Sequence, residues 1–316
     1  MGTTVLMMSW DEAHLLRHSL PPAVAQEGAR VVVIDNASAD PTRQVASDHG
    51  AEVLRLEHRL SYAAATNEAL RRTDGEAVLL LNADCVLAQG FLAAARPRLE
   101  EHGVGSVAPK LIRAARVDPP QPLDAIDAAG MVVDRRRKNA LVGHGRPALA
   151  FDRPGEAFGA DGAAALYRRE TLESCTVAGE VLDEDMERWA TDVDLAWRAR
   201  TLGWKCAYEP AALAYHVRTY SPSTRAGLPP SDRRMQFRNR LLMIVKNDSP
   251  VALLRDAPRV LTYEAGALGY VLLAERSLLG GYRDAARLLP GALRRRRALR
   301  RAHNLSLAPL GLEAPA

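Results

Sequence analysis

Short apolar runs that end on polar clusters recur through the first eighty positions. Residues 4–8 close on Ser9-Trp10-Asp11, the β-branched run 31–34 closes on Asp35-Asn36, and the unbroken run 77–81 closes on Asn82-Ala83-Asp84. Runs of this length without polar interruption predict strands buried on both faces. Between them, residues 12–20 and 63–72 carry helical spacing, and residues 51–56 alternate as a further strand. Strand and helix in alternation predict an α/β fold with a parallel, doubly wound sheet. Such sheets bind ligands beyond the carboxyl ends of their strands, so the three polar clusters are expected to converge on one rim.

The pattern then changes. Residues 112–154 are rich in Pro, Gly and Arg, with Arg135-Arg136-Arg137-Lys138 at their middle, and predict an irregular or hairpin insertion near the site. Order returns at 160–169, and residues 190–202 mix Leu195, Trp197 and Leu202 with charges as on a partly exposed helix. Pro222, Pro229 and Pro230 mark a boundary that divides a sheet-forming unit, 1–224, from a helical region, 225–316, with helices expected at roughly 233–247, 250–274 and 281–302.

Composition adds less than its distribution. With 47% apolar and 25% charged residues, the 316-residue chain belongs with ordered globular proteins. Its three cysteines, Cys85, Cys175 and Cys206, lack C-x-x-C spacing, which argues against a disulfide framework or zinc cluster and fits a reducing cytoplasm. The N-terminus enters a strand-like run with no basic segment before it, so no signal peptide is expected. The net charge of +4 conceals 25 basic and 31 acidic residues before position 225, against 17 and 7 after it.

A tail of +10 predicts an anionic surface as partner. Few aromatics and no recognisable binding module weigh against nucleic acid. Residues 260–274 are apolar but for Glu264, and fall short of the about 20 that span a bilayer. Arg283, Arg287, Arg294, Arg295, Arg296, Arg297, Arg300 and Arg301, interleaved with Leu288, Leu289, Leu293 and Leu299, read as a cationic amphipathic helix on anionic lipid. The competing reading is a solvated helix or one that joins copies of the chain into a homo-oligomer. The lipid reading places the protein in the cytoplasm, peripheral on the inner face of the membrane.

Three groups of residues carry candidate chemistry. Asp84, one residue past a buried strand, is rigidly placed to ligate a divalent cation beside a nucleoside diphosphate, although an Asx pair after a strand is most often a turn or a helix cap. Asp192 and Asp194 fall in the first turn of a helix, where the macrodipole favours carboxylates; one of them could accept a proton from an attacking hydroxyl. His216 follows a strand-like stretch, 211–215, and is chemically suited to a Mg²⁺ or Mn²⁺ site near Asp84.

Together, Ser9-Trp10-Asp11, residues 32–40, residues 62–67, residues 79–84 and Thr191-Asp192-Val193-Asp194-Leu195 resemble, in order and spacing, the motifs of family 2 glycosyltransferases over roughly residues 3–220. Residues 161–169 and 196–200 look most like the bacterial rhamnosyltransferase-like branch. The resemblance implies a GT-A fold (a Rossmann-like, mostly parallel central sheet flanked by helices, here with a C-terminal helical extension), a nucleotide-sugar donor, a divalent metal and inversion at the anomeric carbon. It assigns Ser9, Trp10, Asp35 and Asn36 to the base and ribose of the donor, and Thr66 and Asn67 to the helix facing it. Asp84 matches the last acid of the D-x-D motif, Asp192 the catalytic base, and His216 the histidine that completes some metal sites. Asp161 and Asp194 are candidate acceptor-side residues. The acceptor implied is a glycan or lipid-linked hydroxyl in cell-surface polysaccharide synthesis, with rhamnose as the expected sugar.

Two positions depart from the family pattern. Asn82 heads the D-x-D motif and brings a carbonyl oxygen without charge, leaving Asp84 as its only anionic ligand. Thr191 replaces the usual Glu before the base; its hydroxyl can cap the helix but cannot share a proton. These departures keep open a membrane-docked scaffold that binds nucleotide sugar without turnover. A sugar nucleotidyltransferase fits less well, because Met7-Met8-Ser9-Trp10-Asp11 is neither Gly-rich nor followed by a Lys or Arg.

Overall fold

The computed structural model describes residues 2–218 and 224–303, so Pro222 and the last residues of the helical region lie outside the described residues. The chain forms β1 (Thr3–Ser9), α1 (Ala13–Val24), β2 (Ala29–Asp35), α2 (Thr42–Asp48), β3 (Glu52–Arg55), α3 (Tyr62–Arg72), β4 (Ala77–Asn82), β5 (Cys85–Leu87) and α4 (Phe91–Glu100). Then follow β6 (Val104–Val117), β7 (Pro120–Ala128), β8 (Met131–Val133), β9 (Asn139–Leu141), β10 (Gly155–Ala157), β11 (Ala164–Arg168), α5 (Arg169–Ser174), α6 (Thr191–Thr201) and β12 (Lys205–His216). Four helices finish it: α7 (Pro230–Asn247), α8 (Pro250–Arg255), α9 (Ala257–Leu273) and α10 (Leu279–His303).

The main sheet runs β10-β12-β6-β11-β4-β1-β2-β3, with β5 on β12 and β7 on β6. Strands β1 to β4 pair in parallel as expected. Beyond them the sheet is mixed, because β11 enters antiparallel between β4 and β6. The turn before it is tied to the end of β4, where Asn82 N–H donates to Ala163 O at 2.9 Å, so β11 must run back down and Asp161 stays on the rim. Along β4 the period of two assigns Leu79 and Leu81 to one apolar layer, shared with α1 and α4, and Val78 and Leu80 to the other, shared with α3.

The insertion is a hairpin, as one of its two expected forms: long strands β6 and β7 pair antiparallel, and β8 and β9 make a small second sheet. Its arginine run is a bolt. Arg137, in the left-handed region at φ 63° and fully buried, reaches Asp248 at 2.6 Å and Asp256 at 2.9 Å in the C-terminal helices. The expected helix over 250–274 is interrupted at Asp256 for the same reason: its buried carboxylate is held by Arg135 and Arg137, and Pro258 opens the next helix.

Helix α6 is more buried than its mixed sequence suggests, with Leu195, Trp197 and Arg198 all inside. Helix α7 covers it. Asn239 donates to Met186 O at 2.6 Å and Trp189 O at 2.7 Å, and Lys246 pairs with Asp183 and, at 2.8 Å, with Asp194. Arg295 of α10 reaches Glu180 and Asp185, so part of the positive tail is matched against negative charge of the same chain. The apolar side of α10 also turns inward, burying Ala292 and Leu299. The three cysteines are free and buried. No helix among the described residues is long and apolar enough to cross a membrane.

Candidate active site

The rim at the ends of β1, β2 and β4 gathers the three polar clusters, as in-register pairing of Met8 with Ile34 and with Asn82 requires. Ser9 is buried with its hydroxyl 3.1 Å from that of Thr42. Trp10 stays open at 41% exposure, with the Arg59 guanidinium over its ring. Asp35 is buried; its Oδ1 accepts from Ser38 N–H at 2.9 Å, while Oδ2 accepts no hydrogen bond and lies 3.5 Å from Arg43 Nε. A buried carboxylate oxygen with no donor of its own chain on it keeps an acceptor free for a donor's hydroxyl or base N–H.

Two of the polar residues assigned to the donor are spent inside the fold. Asn36 exchanges hydrogen bonds with the backbone of Leu60, through Oδ1 at 2.8 Å and Nδ2 at 2.9 Å, tying β2 to the approach to α3. Asn67 accepts from Val181 and Leu182 N–H and donates to Leu182 O and Glu184, stapling the segment that leads into α6. Thr66, on the same helix, is buried beside Tyr62, whose phenol burial and the charge of Asp192 push above its ordinary range.

His216 meets Asp84 through strand pairing. It faces Cys85 across β12 and β5, which brings its Nε2 to 3.3 Å from Asp84 Oδ1. Its Nδ1 lies 2.8 Å from Asp127 Oδ2, at the end of β7. Burial opposes the charged imidazole, but the hydrogen bonds and charges of Asp127 and Asp84 outweigh it and raise its pKa to about 9. Asp127 also accepts from Arg218 at 2.7 Å, and Arg218 reaches on to Asp161 at 2.8 Å. Burial would raise Asp127, but His216 and Arg218 bring it down to about 2.

The residues present fit a divalent cation in one limited way. No group of three or more His, Cys, Asp or Glu ligands occurs among the described residues. Asp84 and His216 nevertheless offer one oxygen and one nitrogen at the separation that neighbouring ligands of one cation keep. Asp127 on Nδ1 supplies the outer contact that fixes a ligating imidazole, and leaves Nε2 facing Asp84. The gap between Nε2 and Asp84 thus takes either a proton or a cation, and remaining ligands would have to come from a bound diphosphate and water.

Asp192 and Asp194 part company at the head of α6. Asp192 is partly exposed, with Oδ2 accepting from Gly162 N–H at 3.1 Å and Oδ1 from Val193 N–H at 2.8 Å. Burial and the nearby charge of Asp161 raise its pKa to about 6. Asp194 points into the core, where Arg198, Lys246 and Asn247 surround it. Burial would raise it, but the charges of Lys246 and Arg198 hold it down at about 2. Thr191 does not cap α6: Ala190, in the left-handed region at φ 60°, occupies that position, and the Thr191 hydroxyl donates to Arg188 O at 3.3 Å.

Sequence reasoning missed Asp127 and Arg218. A signal existed for Arg218, two residues past His216 and therefore on the same side of an extended segment. None existed for Asp127, inside the unreadable insertion.

Residues 4–176, more than half of the chain, match glycosyl transferase family 2. The chain belongs to that family. Its fold is similar to a mannosyltransferase, PcManGT from Pyrobaculum calidifontis, in complex with GDP-Man and Mn²⁺, at 20% identity and a TM-score of 0.54 over 92% of this chain and 79% of that one. It is similar also to residues 1–349 of S. aureus TarS in complex with UDP-GlcNAc, at 16% identity and a TM-score of 0.58 over 96% and 91% of the two chains. Likeness at these identities shows the GT-A fold. The uncharacterized protein y4gI of Sinorhizobium fredii is 24% identical over 254 residues, which is 74% of this chain and 26% of that protein. A TPR repeat-containing protein of Synechococcus elongatus is 32% identical over 81 residues, 26% of this chain and 20% of its own length. The chain therefore spans about a quarter or less of the curated relatives it matches. Fold and family together make residues 4–176 a family 2 glycosyl transferase region on a GT-A fold.

Proposed function

We propose that Asp192 is the general base of an inverting transfer, taking the proton of an acceptor hydroxyl as that oxygen attacks the anomeric carbon of the donor. The observation that carries this is the position of its carboxylate: partly exposed at the rim, fixed by two backbone N–H groups, and raised to about 6 beside Asp161. A base near that value is ionised at neutral pH and still holds a proton well enough to drive transfer. Ser9, Trp10 and the unbonded oxygen of Asp35 receive the base and ribose, and Arg218, held by Asp127 and Asp161, is the cation assigned to the diphosphate. Asp84 and His216, backed by Asp127, would hold a Mg²⁺ or Mn²⁺ ion. Such an ion supplies charge that stabilises the leaving diphosphate.

On this reading the acceptor is a glycan or lipid-linked hydroxyl of a cell-surface polysaccharide, and dTDP-rhamnose is the first donor to try. Thermal shifts with a panel of nucleotide sugars, with and without Mn²⁺, report donor and metal need together. Asp192→Asn should keep the donor's thermal shift and lose transfer by about 10²–10⁴-fold; a mutant that transfers at the normal rate sinks the assignment. Release of nucleoside diphosphate only when acceptor is present excludes a scaffold without turnover.

A further inference from the structure

Helix α9 is apolar on its outward side as well as its inward one, which is unusual on a water-facing surface. Its inward side carries Val260 and Val271, both buried, together with Glu264, which pairs with Arg240 at 2.6 Å. Its outward side carries Leu261, Ala265, Leu268 and Leu272 at the i, i+4, i+7, i+11 spacing of one helical stripe, all exposed. Leu261 is 67% exposed and Leu273 is 90% exposed. The preceding α8 adds Val251 and Leu254. Of the twelve large apolar side chains exposed among the described residues, seven lie on α8 and α9. A concentration of this kind marks an interaction surface rather than scatter.

Charge chooses the occupant. The apolar stripe is bracketed by Arg259 at its start and Arg276 just beyond its end; both are exposed, and neither has a salt-bridge partner among the described residues. The two arginines sit within a C-terminal region of 17 basic and 7 acidic residues. A second copy of the chain would bring the same unpaired positive charge to the contact, whereas an anionic bilayer surface offers acyl chains to the leucines and phosphates to the arginines.

We infer that the outward face of α8 and α9 docks the protein on an anionic lipid surface, with Leu261, Leu268, Leu272 and Leu273 entering the acyl boundary and Arg259 and Arg276 meeting the headgroups. This moves lipid contact away from the arginine-rich α10, whose Ala292 and Leu299 pack on its own chain. It is independent of the transfer chemistry, because neither helix supplies a residue to the site.

Flotation of the full chain with phosphatidylcholine vesicles, with and without phosphatidylglycerol, tests it. The protein should float with the mixed vesicles and far less with phosphatidylcholine alone. Leu268→Glu with Leu272→Glu changes only exposed positions and should weaken binding by more than about tenfold, with an unchanged circular dichroism spectrum. Arg259→Ser with Arg276→Ser should remove the preference for phosphatidylglycerol. No flotation of the wild-type chain, or equal flotation of the leucine variant, overturns the inference. A dimer in sedimentation equilibrium that the leucine variant splits, without vesicle binding, would assign the face to a second copy instead.

Discussion

The Nδ1 atom of His216 lies 2.8 Å from Asp127, a carboxylate that is wholly buried. That contact leaves Nε2 as the atom facing Asp84. Removing it should loosen the imidazole without touching either proposed metal ligand. Asp127→Ala is expected to weaken Mn²⁺ affinity by about 10–100-fold, measured by titrating Mn²⁺ against donor binding. Because a proton competes for Nε2 and His216 is raised to about 9, Mn²⁺ affinity of the unaltered protein should also rise as pH is increased from neutrality.

Asp192 gives a pH signature of its own. Its pKa is raised to about 6, mainly by burial and by Asp161, so the base is ionised above that value and lost below it. The rate of transfer should fall about tenfold per pH unit on the acid side of a limb near 6. Stability runs the other way. An ionised Asp192 costs the folded state free energy above about pH 6, so Asp192→Asn should be more stable by about 1–2 kcal/mol at neutral pH. That gain should fade as pH falls from about 6 toward the ordinary aspartate value, below which the folded and unfolded chains both hold the proton. Urea denaturation at the two pH values measures it.

The parallel half of the fold was legible because unbroken apolar runs admit few other readings, and the polar clusters that closed them did reach one rim. Asp84 and His216 were legible as a pair only through the family resemblance, since spacing alone does not give a contact across 132 positions that depends on β5 meeting β12. Asp127 was illegible for a stronger reason: its strand lies in a Pro- and Arg-rich segment whose shape is set by partners far along the chain, such as Arg137 with Asp248. Tail charge reads only in part as a free surface, because Lys246 and Arg295 answer acids of the sheet-bearing region.

Asn67 separates what its family position implies from what its contacts do. All four of its hydrogen bonds go to residues 181, 182 and 184. Asn67→Ala leaves two backbone N–H groups and a carbonyl without those partners, and should destabilise the protein by about 2–3 kcal/mol. Donor affinity measured below the melting transition should change less than about threefold. A large loss of donor affinity in a protein of unchanged stability would return Asn67 to the donor site.

Lys246 tests whether the C-terminal helices act as part of the catalytic unit. Its ammonium answers Asp183 and Asp194 inside the protein, and with Arg198 it holds Asp194 at about 2. Lys246→Met keeps the length of the side chain and removes the charge, leaving two buried carboxylates short of a partner. Breaking a buried pair on one side costs about 3–5 kcal/mol, and urea denaturation should report a loss of that size at neutral pH. The linkage fixes how the loss varies with pH. A lowered aspartate contributes stability above its ordinary value and loses it as pH falls toward 2, so the difference between the two proteins should shrink on acidification. Since α6 carries both Asp194 and Asp192, transfer should fall with stability, whereas vesicle binding by α8 and α9 should persist in whatever fraction stays folded.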